Sequence, residues 1–240
     1  MSVEALQSLA DRAALFTALR QDQLVTATDD LGPHRWDVDL SAGTLTFVSD
    51  AAQARTLVAQ AHLVASIAPG PRSLMWSWAL PQGDAGGHTT RMREYGEQHG
   101  VAALSAPEVV FPEDTGEDLQ QWIAQFAHVI GGAAVEITGL SPYYSADVGG
   151  TRAVLLLDGL LEPLTVAAAL TALPRILSTL TLTDARTSVW DLARLAGWHL
   201  DWADAEFTGA TVTDATGSAT FRFDAQARIT NIEARLGAQA

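Results

Sequence analysis

Residues 36–48 read WDVDLSAGTLTFV and decide the fold of the first half of the chain. Apolar Trp36, Val38 and Leu40 alternate with two aspartates, and this period of two is typical of a strand with one solvated face. Ser41-Ala42-Gly43 supplies turn residues, and the next five residues form a second apolar and Thr-rich run. The stretch therefore predicts an antiparallel β-hairpin.

The same reasoning extends outward to residues 34–158. It predicts a third and a fourth strand that complete a meander, at 56–67 and 73–80, and a last hairpin with strands at 135–146 and 152–157. Apolar stripes predict an amphipathic helix at 3–20, a helix at 89–99 that ends at Gly100, and one that begins at a capping box, Thr115 to Asp118, and ends at Gly131-Gly132. We expect an α+β fold, an antiparallel sheet of hairpins with helices packed on it.

The last third has its own pattern. A helical segment carrying Pro174 and a second helix near 186–196 precede four short alternating runs, which predict a small β-meander. We divide the chain into an α+β domain at 1–160 and a C-terminal helical segment plus meander at 161–240, either a docked lobe or an extension of the sheet.

Residues 38–63 and 212–236 align if one residue is skipped. Gly43 then matches Gly217, and the tripeptide Gln-Ala-Arg recurs in both copies. Either a partial duplication or two similar hairpins in an Ala- and Thr-rich chain explains the match.

Composition limits the partners. The formal charge is −14, and every basic residue is Arg. Such a charge disfavours nucleic acid and anionic membranes, and it leaves a cationic protein as an expected partner. The absence of cysteine excludes disulfides and thiolate chemistry. The acidic start of the chain and the lack of a long apolar run predict a cytoplasmic protein.

Four motifs in order resemble a bacterial family of domains of unknown function. They are the hairpin from Trp36 to Phe47, the WSWA segment at 76–79, the YGEQHG helix end at 95–100, and the pair Tyr143-Tyr144. The resemblance covers about residues 34–158. It implies a domain without implying an activity.

Five residues are candidates for ligand binding: Trp76, Trp78, Tyr95, His99 and Tyr143. WSWA lies in the strand predicted at 73–80, so its two tryptophans share a face. They either stack on a planar ligand or are core covered by a helix. Tyr95 and His99 are four apart on one helix face, where His99 either stabilises the helix end or acts as an acid or base.

No metal site or cofactor is predicted. The six histidines show no HExxH and no close pair, and Asp84 and His88 share a glycine-rich loop that would bind a metal only if distant residues converged on it. No Walker loop, GxSxG or GxGxxG motif is present.

Three functions remain open. The first is a non-enzymatic interaction protein with an acidic surface, and the second is a small-molecule binding module using an aromatic sheet face. The third is a hydrolase-type enzyme using His99 and a carboxylate.

Overall fold

The predicted hairpin forms as two antiparallel strands, β1 (His34–Asp39) and β2 (Thr44–Ser49), with Gly43 left-handed in the turn. The computed structural model describes residues 3–81 and 83–237. The other strands are β3 (Thr56–Ala68), β4 (Ser73–Trp76), β5 (Glu108–Val110), β6 (Tyr143–Val148), β7 (Thr151–Asp158), β8 (His199–Trp202), β9 (Gly209–Asp214), β10 (Gly217–Phe223) and β11 (Ile229–Leu236). The helices are α1 (Glu4–Arg12), α2 (Ala14–Asp29), α3 (His88–His99), α4 (Ala102–Ser105), α5 (Leu119–Thr138), α6 (Val166–Leu177) and α7 (Ala185–Ala196). The α+β class is confirmed.

The chain divides into two compact units. Unit 1 comprises residues up to Ala10 together with Leu24–Leu161, and unit 2 comprises Asp11–Gln23 together with the chain from Glu162 onward. The sequence pattern did not indicate that residues 11–23 group with the C-terminal part.

A curled, seven-stranded antiparallel sheet forms unit 1, and α3 and α5 pack on it. Along one path the strand order is β1-β2-β3-β4-β5, and β7 pairs with β3 and β6. A core cluster lies between the first strands, β7 and the end of α2; its buried members are Leu24, Leu31, Leu45, Phe47, Ala59, Ala61, Leu155 and Leu157.

The prediction that Gly131-Gly132 ends a helix is wrong. Helix α5 continues through both glycines to Thr138 and closes at the left-handed Gly139, so residues 135–138 are helical and the next strand starts only at Tyr143. A Cβ on Gly131 would lie 2.5 Å from the ring of Tyr143, and one on Gly132 would lie 2.9 Å from the Cβ of Ala10. The glycines serve close packing rather than termination.

Two other predicted boundaries also differ. The strand predicted at 73–80 stops at Trp76, because Ser77–Ala79 form a 3₁₀ helix closed by a hydrogen bond from Leu80 N to Ser77 O. The helix predicted at 3–20 is interrupted at Ala13 and runs on to Asp29, where the apolar stripe fades but helical hydrogen bonding continues.

Unit 2 contains the predicted small meander, a four-stranded antiparallel sheet in the order β11-β10-β9-β8. Helices α6 and α7 contact this sheet. Asp191 of α7 is fully buried and accepts ion pairs from Arg12 (3.3 Å) and Arg194 (2.7 Å). Two guanidinium partners offset the desolvation of the buried carboxylate.

No helix in the described part of the chain combines the length and apolar character required to cross a bilayer.

Candidate functional site

A cleft of about 450 Å³ opens in unit 1 where three segments meet. Its walls are the turn between β1 and β2, the middle of β3 and the glycine-rich loop before α3. The lining residues are 40–43, 60–63 and 83–86. Clefts of this size are typical of small-molecule sites.

The cleft lies at a gap in strand pairing. Gln60 pairs with both β2 and β7, and Ala65 pairs with both β4 and β7, so β2 and β4 lie along the same edge of β3. Between them, residues 61–64 have no strand partner on that edge, where Ala61 N donates to Gly43 O (2.8 Å). The register of the sheet therefore creates the opening.

Two histidines face each other in this region. His62 on β3 and His88 at the start of α3 have ring centroids 4.4 Å apart, with the rings at 67°. Both are half-buried, and among the described residues neither ring has a hydrogen-bond partner. Because His62 also lines the cleft, a ligand there meets an imidazole that makes no hydrogen bond to the described protein groups.

Gly86 is the reason that the two rings can approach. A Cβ at this position would lie 2.8 Å from His88 Nε2 and 2.9 Å from His62 Nδ1. Both rings therefore pack against the backbone of Gly86, and they can do so only because residue 86 has no side chain.

Asp84 fixes the loop to the helix. Its carboxylate accepts hydrogen bonds from the backbone N–H of His88 (3.2 Å) and of Thr90 (2.6 Å). A carboxylate at this place satisfies free donors of the first helical turn and complements the helix dipole. The loop is thus held so that His88 projects from a defined position.

Electrostatics keep His88 uncharged. Burial lowers the pKa of His88 below its usual value, and the neighbouring His62 lowers it further, while Asp84 and Asp158 oppose the shift. His88 is therefore a neutral imidazole near pH 7, with one nitrogen as donor and the other as acceptor.

Sequence reasoning named Asp84 and His88 but missed their partner. His62 lies 26 positions before His88, in a strand where nothing in the local pattern marks it. The composition of β3 offered a weak signal, since a half-buried histidine in a largely apolar strand is unusual. In the described residues, no group of three or more His, Asp or Glu is placed to hold a metal ion.

The two tryptophans do not share a sheet face. Trp76 is fully buried, and its indole Nε1 donates to Ala103 O (2.9 Å). Trp78 follows in the 3₁₀ helix, and the Arg93 guanidinium lies 5.2 Å from its ring centroid. The prediction of a common face assumed a strand through residue 80 and is wrong.

Tyr95 and His99 do meet as their spacing predicts, with ring centroids 4.2 Å apart on α3. His99 is exposed at the helix end, which the left-handed Gly100 closes. Neither residue lines the cleft.

Tyr143 lies elsewhere. It is buried on β6 against Gly131, and its hydroxyl is 2.6 Å from His128 Nδ1. Among the described residues, only Tyr95 and His99 of the five candidates have their rings in contact, and a shared ligand site stays a prediction.

Comparison with known proteins gives a match to the part of the chain that contains most of unit 1 of the fold and the cleft. No curated protein and no solved structure gives a significant match. The profile of a family of unknown function, DUF6882, matches residues 7–160, which include every residue that lines the cleft. The chain belongs to the family of unknown function DUF6882.

Proposed function

We propose that the region shared with the family is a small-molecule binding module whose ligand lies in the cleft against His62 and His88. One observation carries the proposal: two half-buried imidazoles lie in contact beside an open cleft that His62 lines, and neither ring has a hydrogen-bond partner among the described residues. Polar groups of this kind, set in a concave surface, are what fixes a small ligand.

The protonation state of His88 limits the chemical class of ligand that the site can bind. Because burial keeps His88 neutral, the imidazole offers a hydrogen-bond donor and an acceptor rather than a positive charge. Asp84 and the acidic chain disfavour an anion. A neutral or cationic polar molecule with both donors and acceptors fits these groups.

A glycine substitution tests the proposal. Gly86→Ala places a methyl group against both imidazoles, and because this glycine does not have a positive φ, the backbone is not strained. We would screen amino acids, nucleosides and polyamines by thermal shift and by the ring signals of ¹⁵N-histidine-labelled protein. We expect a ligand that raises the melting temperature of the wild type and perturbs His62 and His88, and we expect Gly86→Ala to lose both effects.

Gly70→Ala is the matched control. Gly70 also lacks a positive φ, and a Cβ there would have no neighbour within 4 Å. This variant should bind like the wild type. Binding that survives both Gly86→Ala and the double variant His62→Ala, His88→Ala would place the ligand elsewhere and refute the proposal.

A further inference from the structure

Unit 2 carries an aromatic groove of about 310 Å³ that the family match does not reach. It lies between α7 and the loop after β8, and its lining residues are Asp184, Arg186, Thr187, Trp190, Trp202 and Phe207. Trp190 is 40% exposed and Phe207 is 46% exposed. Large aromatic side chains grouped at a surface are typical of binding sites.

The loop holds Phe207 in an unfavourable backbone conformation. Its φ is +55°, a left-handed value that is uncommon for a bulky residue. Asp204 holds the turn by accepting hydrogen bonds from the backbone N–H and the hydroxyl of Thr208. The phenyl ring meets Trp202 edge to face at 4.9 Å. The loop thus combines a strained backbone at Phe207 with an exposed aromatic ring, and such strained residues cluster at functional sites.

The groove also offers polar groups. The buried Nε of Arg186 has no hydrogen-bond partner among the described residues, although its Nη2 donates to Asp224 O (2.9 Å). Asp184 caps α7 by accepting from the N–H groups of Arg186 and Thr187. A ligand in the groove would therefore meet the Arg186 side chain and the Asp184 carboxylate beside the rings.

Charge restricts the class of ligand. An organic cation would meet Arg186 in the groove and Arg194, whose guanidinium already lies 5.5 Å from the Trp190 ring centroid. An anion would meet Asp184 and the field of a chain with charge −14. A neutral molecule with a flat C–H face for the rings and hydroxyls for the polar groups avoids both penalties.

We propose that this groove binds a neutral carbohydrate, with a sugar ring stacked on Trp190 or Trp202 and its hydroxyls bonded to Arg186 and Asp184. The site is independent of the cleft described above.

The full chain, titrated with neutral tetrasaccharides of glucose, mannose and N-acetylglucosamine, provides the test. We would follow the indole N–H signals of the seven tryptophans by NMR. We expect at least one saccharide to perturb Trp190 and Trp202, and Trp190→Ala to weaken its binding by about tenfold. Trp36→Ala, which removes a similarly exposed tryptophan (38%) from unit 1, should leave binding unchanged.

A second pair of variants separates loss of ligand binding from loss of stability. Phe207→Gly removes the ring and relieves the positive φ, so it should keep or raise the melting temperature while losing saccharide. Ala227→Gly relieves a similar φ of +57° outside the groove lining and should keep binding. The proposal is overturned if no saccharide perturbs the two indoles, if binding persists in both Trp190→Ala and Phe207→Gly, or if only a proline-rich or cationic peptide binds.

Discussion

Trp76 shows, at the scale of one residue, how a candidate binding residue becomes a structural one. Its ring is fully buried, and its only polar atom is hydrogen-bonded to Ala103 O of α4. A tryptophan in this setting buries roughly 200 Å² and satisfies its N–H. The side chain therefore joins β4 to the short helix that follows α3.

Trp76→Ala is expected to destabilise the protein by about 3–5 kcal/mol, because it opens a large cavity and leaves the Ala103 carbonyl unpaired. Urea unfolding followed by circular dichroism measures the loss. Trp36→Ala is the control, since Trp36 is partly exposed and should cost far less. A Trp76→Ala variant with wild-type stability would contradict the assignment.

Helix α5 illustrates, at the scale of an element, why glycine is ambiguous in a sequence. Gly131 and Gly132 end a helix on propensity alone, but here they let Tyr143 and Ala10 approach the helix backbone. The same residue type closes α3 at Gly100, as the sequence predicted, and α7 at Gly197, and both glycines are left-handed.

Gly132→Ala should lower stability although it improves helix propensity. The propensity gain is about 1 kcal/mol, whereas overpacking against Ala10 costs about 1–3 kcal/mol. Urea unfolding of Gly132→Ala, Ala10→Gly and the double variant gives the coupling between the two sites. We expect the double variant to be more stable than the sum of the single losses implies; strict additivity would mean that α1 does not limit this position.

Periodicity found most elements, and it could not find the contacts between them. The hairpin at 36–48, the meander, α3 and the four C-terminal strands follow from alternation and turn residues that act locally. The 3₁₀ helix at Ser77–Ala79 escaped, because its alternating apolar letters look like a strand while Ser77 is held by a buried hydroxyl contact with Thr89 (2.7 Å). The pairing of His62 with His88 could not be predicted either, because only the tertiary structure brings β3 close to the start of α3.

Net charge is the feature that matters at the scale of the whole molecule. A charge of −14 causes self-repulsion. Solvent-exposed ion pairs in the described part of the chain, such as Arg35 with Asp50 and Arg93 with Glu97, each contribute little and are weakened by salt. We therefore expect self-repulsion to outweigh the attraction. The cationic partner stays a prediction.

Sodium chloride should consequently stabilise the protein. Raising the ionic strength shortens the Debye length from about 10 Å at 0.1 M to about 3 Å at 1 M, so repulsion between carboxylates is screened. We expect the melting temperature to rise over this range and to do so less at pH 5, where partial protonation has already reduced the charge. A melting temperature that falls with salt would show that attractive pairs dominate.

The gap between β2 and β4 along one edge of β3 has a consequence for how the family can diversify. Strand register places the opening, so side chains at the wall, Gly86 apart, alter what the cleft accepts without removing it. Main-chain groups at residues 61–64 border that opening whatever the side chains are. Related domains can therefore keep the cleft, which the strand register places, while the side chains at its wall change the ligand that it binds.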